Sequence, residues 1–213
     1  RTAWRALLPA DQAPPEALTL ETNLWLGTKA HLVHYPLRGG DVVNIVAIVE
    51  DNWRGGEDEN FWRESGEASD IRARFSGWHQ RARALINAVD DWKRWPLFDR
   101  IPAPRWSVDR VVLAGDAAHP VVPFLAQGAC LAIEDAAALA RAIRENGESV
   151  NAAITAFERM RLVRAAELRI ASRRQGAIYH LGGPLALARD FVMGRYGRDS
   201  LMARMDWIYK YRV

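Results

Sequence analysis

Cysteine is almost missing from this sequence: Cys130 is the single one in 213 residues. An intramolecular disulfide is thereby excluded, and the composition points to a reducing compartment, read here as the cytoplasm. Long apolar runs are missing as well. The longest, residues 42–49, is interrupted by Asn44 and is far too short to cross a bilayer, so no membrane partner is expected. No basic-plus-apolar leader opens the chain, and there is no internal repeat or low-complexity tract. Charge of one sign is scarce too: 29 Lys and Arg against 26 Asp and Glu leave +3. The basic residues between 159 and 174 alternate with acidic and apolar ones, which reads as a solvated helix face rather than a nucleic-acid footprint.

What is present is an apolar composition of 49%, enough for a real core, and nine tryptophans gathered mostly in the first half. Their large area reads first as core, with an aromatic-lined cavity as the other use. Residues 18–26, 30–37 and 42–50 are rich in Thr, Val, Ile, Tyr and Trp, and predict three strands. Arg38-Gly39-Gly40-Asp41 is a hairpin connection whose glycines supply positive φ. Residues 51–60 predict a loop and 61–64 a short helical turn. Residues 69–89 predict one helix capped by Ser69, because apolar residues recur at three- and four-residue spacing. The prolines between 92 and 104 favour an extended, edge-like path.

The character then changes. Residues 110–114 form a compact apolar strand ending in Gly115-Asp116, and an alanine-rich helix starts at Gly128 and stops at Gly147. A second helix is predicted from about 149 to 174, with shorter ones over 184–193 and 200–209. The expected fold class is α+β in this chain: an antiparallel sheet, then strand–loop–helix, then helices. It becomes α/β if a further part completes the second sheet. The expected division is 1–105, 106–148 and 149–213.

The chemistry is carried by Gly115-Asp116-Ala117-Ala118-His119-Pro120, then Pro123, Gln127-Gly128 and Glu134-Asp135-Ala136. A buried strand delivers Asp116 at its carboxyl end, where ligands bind in open α/β sheets. Gly115 removes a side chain beside it. The loop leads to a helix whose first amides have no intrahelical partner and carry the positive end of the dipole. A carboxylate acceptor and a set of amide donors thus lie at the two ends of one loop, which suits a polyhydroxy ligand with an electron-rich headgroup. Gly-Asp alone would read as a mere turn cap.

The whole segment closely resembles the second flavin motif of the class A FAD-dependent aromatic-ring hydroxylases, and is similar to their salicylate hydroxylase-like members. The resemblance implies that Asp116 binds a ribityl hydroxyl of FAD, beside Gly115. It implies that the amides of Gly128 and Ala129 face the pyrimidine edge of the isoalloxazine, with Pro123 and Gln127 on the same loop. It also implies reduction by NAD(P)H, reaction with molecular oxygen to a flavin hydroperoxide, and hydroxylation of a small phenol-carboxylate-like or heterocyclic aromatic. Segments at 25–27, 31–36, 95–100 and 179–186 look like the substrate-domain sheet and tail of those members.

On the strand 30–37, His31 and Tyr35 lie four apart and share a face, while His34 points the other way. The resemblance makes His31 and Tyr35 the candidate catalytic pair; otherwise they are satisfied, half-buried polar residues. No metal site is expected, since a strand splays His31 and His34 apart. His119 reads as a turn cap or a flavin neighbour, and Cys130 as a small buried residue. One departure from the family is large. Its Gly-x-Gly-x-x-Gly turn for the ADP part of FAD is absent, and the glycine pairs at 39–40, 55–56 and 182–183 do not fit it. Arg1 opens the chain with no turn or cap, so a missing N-terminal FAD-binding portion is expected upstream. The chain alone is then expected to be inactive, with a homodimer as one arrangement of the complete enzyme. Epoxidation by the same flavin class, or a non-catalytic module that pairs with another polypeptide, are the other readings.

Overall fold

The computed structural model describes residues 1–51, 53, 64–196 and 198–213. The predicted loop at 51–60 and the helical turn at 61–64 fall almost wholly outside the described residues. The chain is α+β and forms two compact units, one of Arg1–Leu97 with Tyr179–Arg189, the other of Phe98–Ile178 with Asp190–Val213.

The first unit is built on a six-stranded antiparallel sheet. Its strands are β1 (Thr2–Pro9), β2 (Asn23–Gly27), β3 (Ala30–Leu37), β4 (Val42–Val49), β5 (Glu64–Gly66) and, after two helices, β6 (Trp92–Pro96). They lie in the order β2-β3-β4-β1-β6-β5. The β3–β4 hairpin closes at Arg38–Gly40, where Gly39 has φ +71 and Gly40 φ +112, as its glycines required. The predicted first strand is shorter than expected, because Pro15–Leu18 turns as a 3-10 helix before β2 begins. β1 was not anticipated, yet it pairs with β4 along its whole length, Thr2 with Val49 through Pro9 with Val42.

The sequence 92–104 is corrected too. β6 is an interior strand between β1 and β5, not an edge; Pro96 is its last residue, so ladder pairing survives over Trp92–Trp95.

The helix predicted over 69–89 is two: α1 (Ala68–Arg74) and α2 (Gln80–Asn87). Ser69 is no cap; α1 starts after Glu67, which makes no side-chain cap bond, and the His79 ring accepts from the Arg81 N–H at the start of α2. The rings of Phe75 and Trp78 meet at a 41° tilt, centroids 4.4 Å apart, across the break, so the apolar period continues while the backbone turns. Both helices pack on one sheet face. Trp4, Leu32, Ile45, Ile71, Phe75, Ile86 and Trp92 form the core there. Each such fully buried side chain contributes about 1.5–3 kcal/mol, and the edge-to-face pair Trp4–Trp92 at 6.5 Å roughly 0.5–1.5 kcal/mol more.

The second unit begins with a small hairpin, β7 (Ser107–Val108) and β8 (Val111–Val112), turned at Asp109 with φ +52. Then come α3 (Gly128–Asn146), α4 (Val150–Tyr179), α5 (Gly183–Arg195), α6 (Arg198–Ala203) and α7 (Asp206–Tyr209), with Tyr179 of α4 and Gly183–Arg189 of α5 belonging to the first unit. α4 runs further than predicted, and the segment 200–209 is split in two. Trp106, Ala138, Ala142, Ala153, Phe157 and Ala165 form its core, small residues letting α3 and α4 approach.

The expectation that the basic residues of 159–174 are solvated is overturned at two positions. Arg161 and Arg164 are 0% and 4% exposed. Arg161 binds Glu134 at 2.7 Å and Asp135 at 2.7 Å, and Arg164 binds Glu134 at 3.1 Å. A buried guanidinium is tolerable only with such partners, and these lie on another helix, where local sequence pattern cannot show them.

Candidate flavin segment and substrate sheet

In the second unit, β8 leads through Leu113 and Ala114 into a 3-10 turn, Gly115–Ala117. Gly115 is buried with φ +57, and a Cβ there would sit 3.3 Å from that of Ala132. That backbone is one that L side chains rarely adopt, so glycine is required on two counts. Asp116, the next residue, is exposed.

The turn is held from behind by Asp135 of α3. Its Oδ2 accepts from the Gly115 N–H at 2.8 Å and from His119 Nε2 at 2.6 Å, and its Oδ1 from Arg161 Nε at 2.7 Å. Because the carboxylate only accepts, His119 must carry its proton on Nε2 in this bond. Burial opposes ionisation of Asp135, but the hydrogen bonds from His119, Gly115 and Arg161 outweigh it and hold the carboxyl below its usual range. Desolvation opposes the charge of Arg161 in turn, but the bonds to Asp135 and Glu134 outweigh it and raise its pKa. His119 is 1% exposed and lies against Trp106 at 5.0 Å, so it braces the turn from inside.

Pro123–Leu125 forms a second 3-10 turn that ends in Ala126 at φ +53. Pro123 is exposed and Phe124 buried. Gln127 is 7% exposed, and its amide donates to the Leu125 carbonyl at 3.3 Å. It precedes α3 without a side-chain cap bond, and no acidic residue occupies the first turn. The amides of Gly128 and Ala129 therefore open the helix with no partner inside it. Cys130, expected to be buried, is exposed on this first turn; the buried stripe of α3 is Leu131, Asp135, Ala138 and Ala142, one helical period that leaves Cys130 outside.

In the first unit, His31 and Tyr35 share the sheet face opposite α1 and α2, and His34 lies on the helix-covered face, its ring stacked on Trp25 at 6.4 Å. In the β3–β4 register Tyr35 stands across from Asn44 and His31 from Ile48. Asn44 is fully buried and accepts from Arg5 Nε at 2.9 Å. Tyr35 is half-buried. His31 is 2% exposed, and its Nδ1 lies 2.7 Å from His180 Nε2. Burial first, then the charges of His180 and Arg1, lower its pKa to about 3, so the imidazole is neutral at any working pH.

Asp135 stood in the motif segment with no role of its own, and the structure makes it, with Arg161, the holder of the Gly115–Ala117 turn. His180, part of the segment 179–186 without a role, lies against His31, and Arg161 and Glu50 were not singled out at all.

Residues 36–171 match the family described as FAD binding domain. The chain is 35% identical over 210 residues to 3-hydroxybenzoate 6-hydroxylase 2 of Aquipseudomonas alcaligenes, covering 99% of this chain and 64% of that protein. It is 38% identical to 6-hydroxynicotinate 3-monooxygenase of Bordetella bronchiseptica, covering 78% of this chain and 43% of the other. Its fold matches the structure described as salicylate hydroxylase substrate complex with a TM-score of 0.80 at 24% identity, over 99% of this chain and 54% of that one. The chain belongs to the FAD binding domain family, among the class A FAD-dependent aromatic hydroxylases, and it spans between about two fifths and two thirds of the length of these relatives.

Proposed function

We propose that the chain supplies the substrate-binding sheet and the ribityl-and-ring half of the flavin site in an NAD(P)H-using monooxygenase that hydroxylates a small aromatic, of the phenol-carboxylate or hydroxylated heterocycle type. The observation that carries this reading is the loop between Asp116 and α3. It offers an exposed carboxylate at one end and, at the other, helix amides that have no partner inside the helix, with the turn locked by a buried ion network.

The residues fit the cofactor. Asp116 would accept from ribityl hydroxyls, Gly115 keeps the approach clear, and Gly128 and Ala129 would donate to the electron-rich edge of the ring, stabilising negative charge there without reorganisation. Pro123 and Gln127 shape the loop between them. The flavin, once bound, supplies the oxygen chemistry. The protein positions the aromatic ring, excludes water and takes up the phenol proton, for which His31 and Tyr35 on the sheet face opposite α1 and α2 are the candidates.

The assignment of residues 106–148 to the flavin site and of the sheet to substrate binding belongs to the same proposal. So does a dinucleotide-binding portion supplied by further sequence. Its support is a row of exposed apolar residues on the second unit: Val108 and Val111 at 69%, Leu113 at 40% and Ile133 at 70%. A face of this kind marks an interaction surface. The 213 residues alone are then expected to turn over nothing, since chemistry needs the ring held in place. Testing takes the complete flavin-loaded enzyme, a panel of hydroxybenzoates and hydroxypyridine carboxylates, and parallel measurement of NAD(P)H oxidation and hydroxylated product. NAD(P)H oxidation that no aromatic stimulates would overturn the proposal.

A further inference from the structure

In the second unit, α7 lies against the ion pairs that hold the flavin turn. It is only four residues long, so the carbonyls of Trp207 and Ile208 have no continuing helix to accept from. Arg164 takes both: its Nη1 donates to the Trp207 carbonyl at 2.9 Å and its Nη2 to the Ile208 carbonyl at 3.1 Å. The rest of the guanidinium faces Glu134 of α3, with Nε 3.3 Å from Oε2 and Nη2 3.1 Å from Oε1. Tyr211 closes the cage. Its ring centre is 4.1 Å from the Arg164 guanidinium carbon, that of Trp207 is 5.4 Å away, and the Tyr211 hydroxyl accepts from Arg161 Nη1 at 3.5 Å. A guanidinium only 4% exposed is thus satisfied in good part by a segment 43 and 44 positions further along the chain.

The same segment supports the loop between Asp116 and α3. Ile208, 4% exposed, packs with Leu131 of α3 and Leu168 of α4, and Val121 and Leu125 of the loop pack on that cluster. Ser172 of α4 adds a hydrogen bond to the Val122 carbonyl at 2.6 Å. The amino end of α3 is therefore held at two levels. Apolar contact acts through Leu131, and charge acts through Glu134, which binds Arg161 at 2.7 Å as well as Arg164. Trp207 and Tyr211 keep 42% and 36% exposure, so they cover this network from its solvent side.

We infer that Met205–Tyr211 is a positioning segment of the flavin site. Tyr211 and the Trp207 and Ile208 carbonyls fix Arg164, Arg164 fixes Glu134, and Ile208 fixes the loop, so that the amides opening α3 cannot turn away from the ring. The role rests on the flavin reading above. Preorganised donors stabilise charge because they need no rearrangement when it develops. Loosening their support weakens binding of the oxidised cofactor and disfavours still more the added negative charge of the reduced one.

The experiment uses the complete protein with FAD as ligand, in wild type, Tyr211→Leu, Tyr211→Phe, Ile208→Ala and Tyr209→Ala. Quenching of flavin fluorescence gives Kd, and dye-equilibrated reduction gives the midpoint potential. Tyr211→Leu strips the ring from Arg164 at a partly exposed site and should weaken FAD binding about 2–30-fold, the span over which one member of a coupled network alters another site. Its potential should become more negative. Tyr211→Phe keeps the ring over the cation and should restore most of both. Ile208→Ala should act in the same direction as Tyr211→Leu; if it does not fold, Tyr211→Leu decides. Tyr209, 59% exposed on the same turn, should be replaceable by alanine with neither quantity changed. In a Glu134→Gln background Tyr211→Leu should cost less than in wild type, since both lie on one route. Wild-type Kd and potential in Tyr211→Leu would overturn the role. Equal weakening in Tyr209→Ala would overturn it too, since any disturbance of α7 would then suffice. Full additivity with Glu134→Gln would remove the route through Arg164. A wild-type protein that binds no FAD would instead refute the flavin reading, and the role with it.

Discussion

Replacing Asp135 by alanine removes the acceptor of three hydrogen bonds at once: from the Gly115 N–H, His119 Nε2 and Arg161 Nε. Asp135 and Arg161 are both 0% exposed, so no water replaces the lost partner. Breaking a buried pair by removing one member leaves an uncompensated charge, which costs about 3–5 kcal/mol. Glu134 still contacts Arg161 at 2.7 Å, so the lower end of that range is expected. Against a typical stability of about 5–15 kcal/mol this is a large fraction.

Chemical denaturation with a probe in the second unit, such as Trp106 fluorescence, measures it. The double variant Asp135→Leu/Arg161→Met should recover much of the loss, because apolar replacement of a whole buried pair is often neutral. The pH dependence has a fixed sign. The folded-state pKa of Asp135 lies below its ordinary 3.8, so its contribution is fully present above that value and is lost as pH falls through the lower folded pKa. The gap between wild type and Asp135→Ala should therefore be constant above about pH 5 and close in stronger acid. A variant within about 0.5 kcal/mol of wild type at neutral pH would refute the reasoning, since that is the range of an inconsequential surface change.

The other expectations can be checked in the complete enzyme or by unfolding. Asp116→Ala should weaken FAD retention by about 1.5–3 kcal/mol, the worth of a charge-assisted hydrogen bond, read as flavin content after gel filtration; unchanged content removes Asp116 from the site. Tyr35→Phe should slow hydroxylation by roughly 10²–10⁴-fold while flavin reduction proceeds normally, so that NAD(P)H oxidation ends in peroxide. Normal coupling would leave Tyr35 a structural tyrosine. Trp92→Ala should cost about 3–5 kcal/mol of stability in the first unit, with a Tm shift that ligand does not abolish.

What the sequence made legible was local. β3 and β4 stood out because β-rich runs flank a hairpin with two glycines at positive φ, and α3 because alanine and leucine recur to a glycine stop. The turn at Gly115 stood out as part of a motif, and the structure adds that its backbone, at φ +57, is one that no other residue adopts cheaply. What was illegible depends on partners distant in the chain. Residues 2–9 carried no assignment, and only their pairing with β4 some 40 residues later makes them a central strand. Arg161 looked solvated because its carboxylates are 26 and 27 positions away on another helix. His180 is separated from His31 by 149 positions, a distance over which no periodicity speaks. The split between α1 and α2 was hidden for a different reason: Phe75 and Trp78 keep the apolar period across a break in the backbone.

Asp135, Arg161, Glu134 and Arg164 form an unbroken chain of ion pairs behind the Gly115–Ala117 turn. Change in such a chain is all or nothing. A single neutralising step strands an ion inside the protein, whereas exchanging the members together can keep both packing and neutrality. A mutational library that varies these positions one at a time would thus return mostly misfolded enzyme and suggest an immutable site. One that recodes all four jointly could find new ways to hold Gly115 without touching the groups that meet the cofactor.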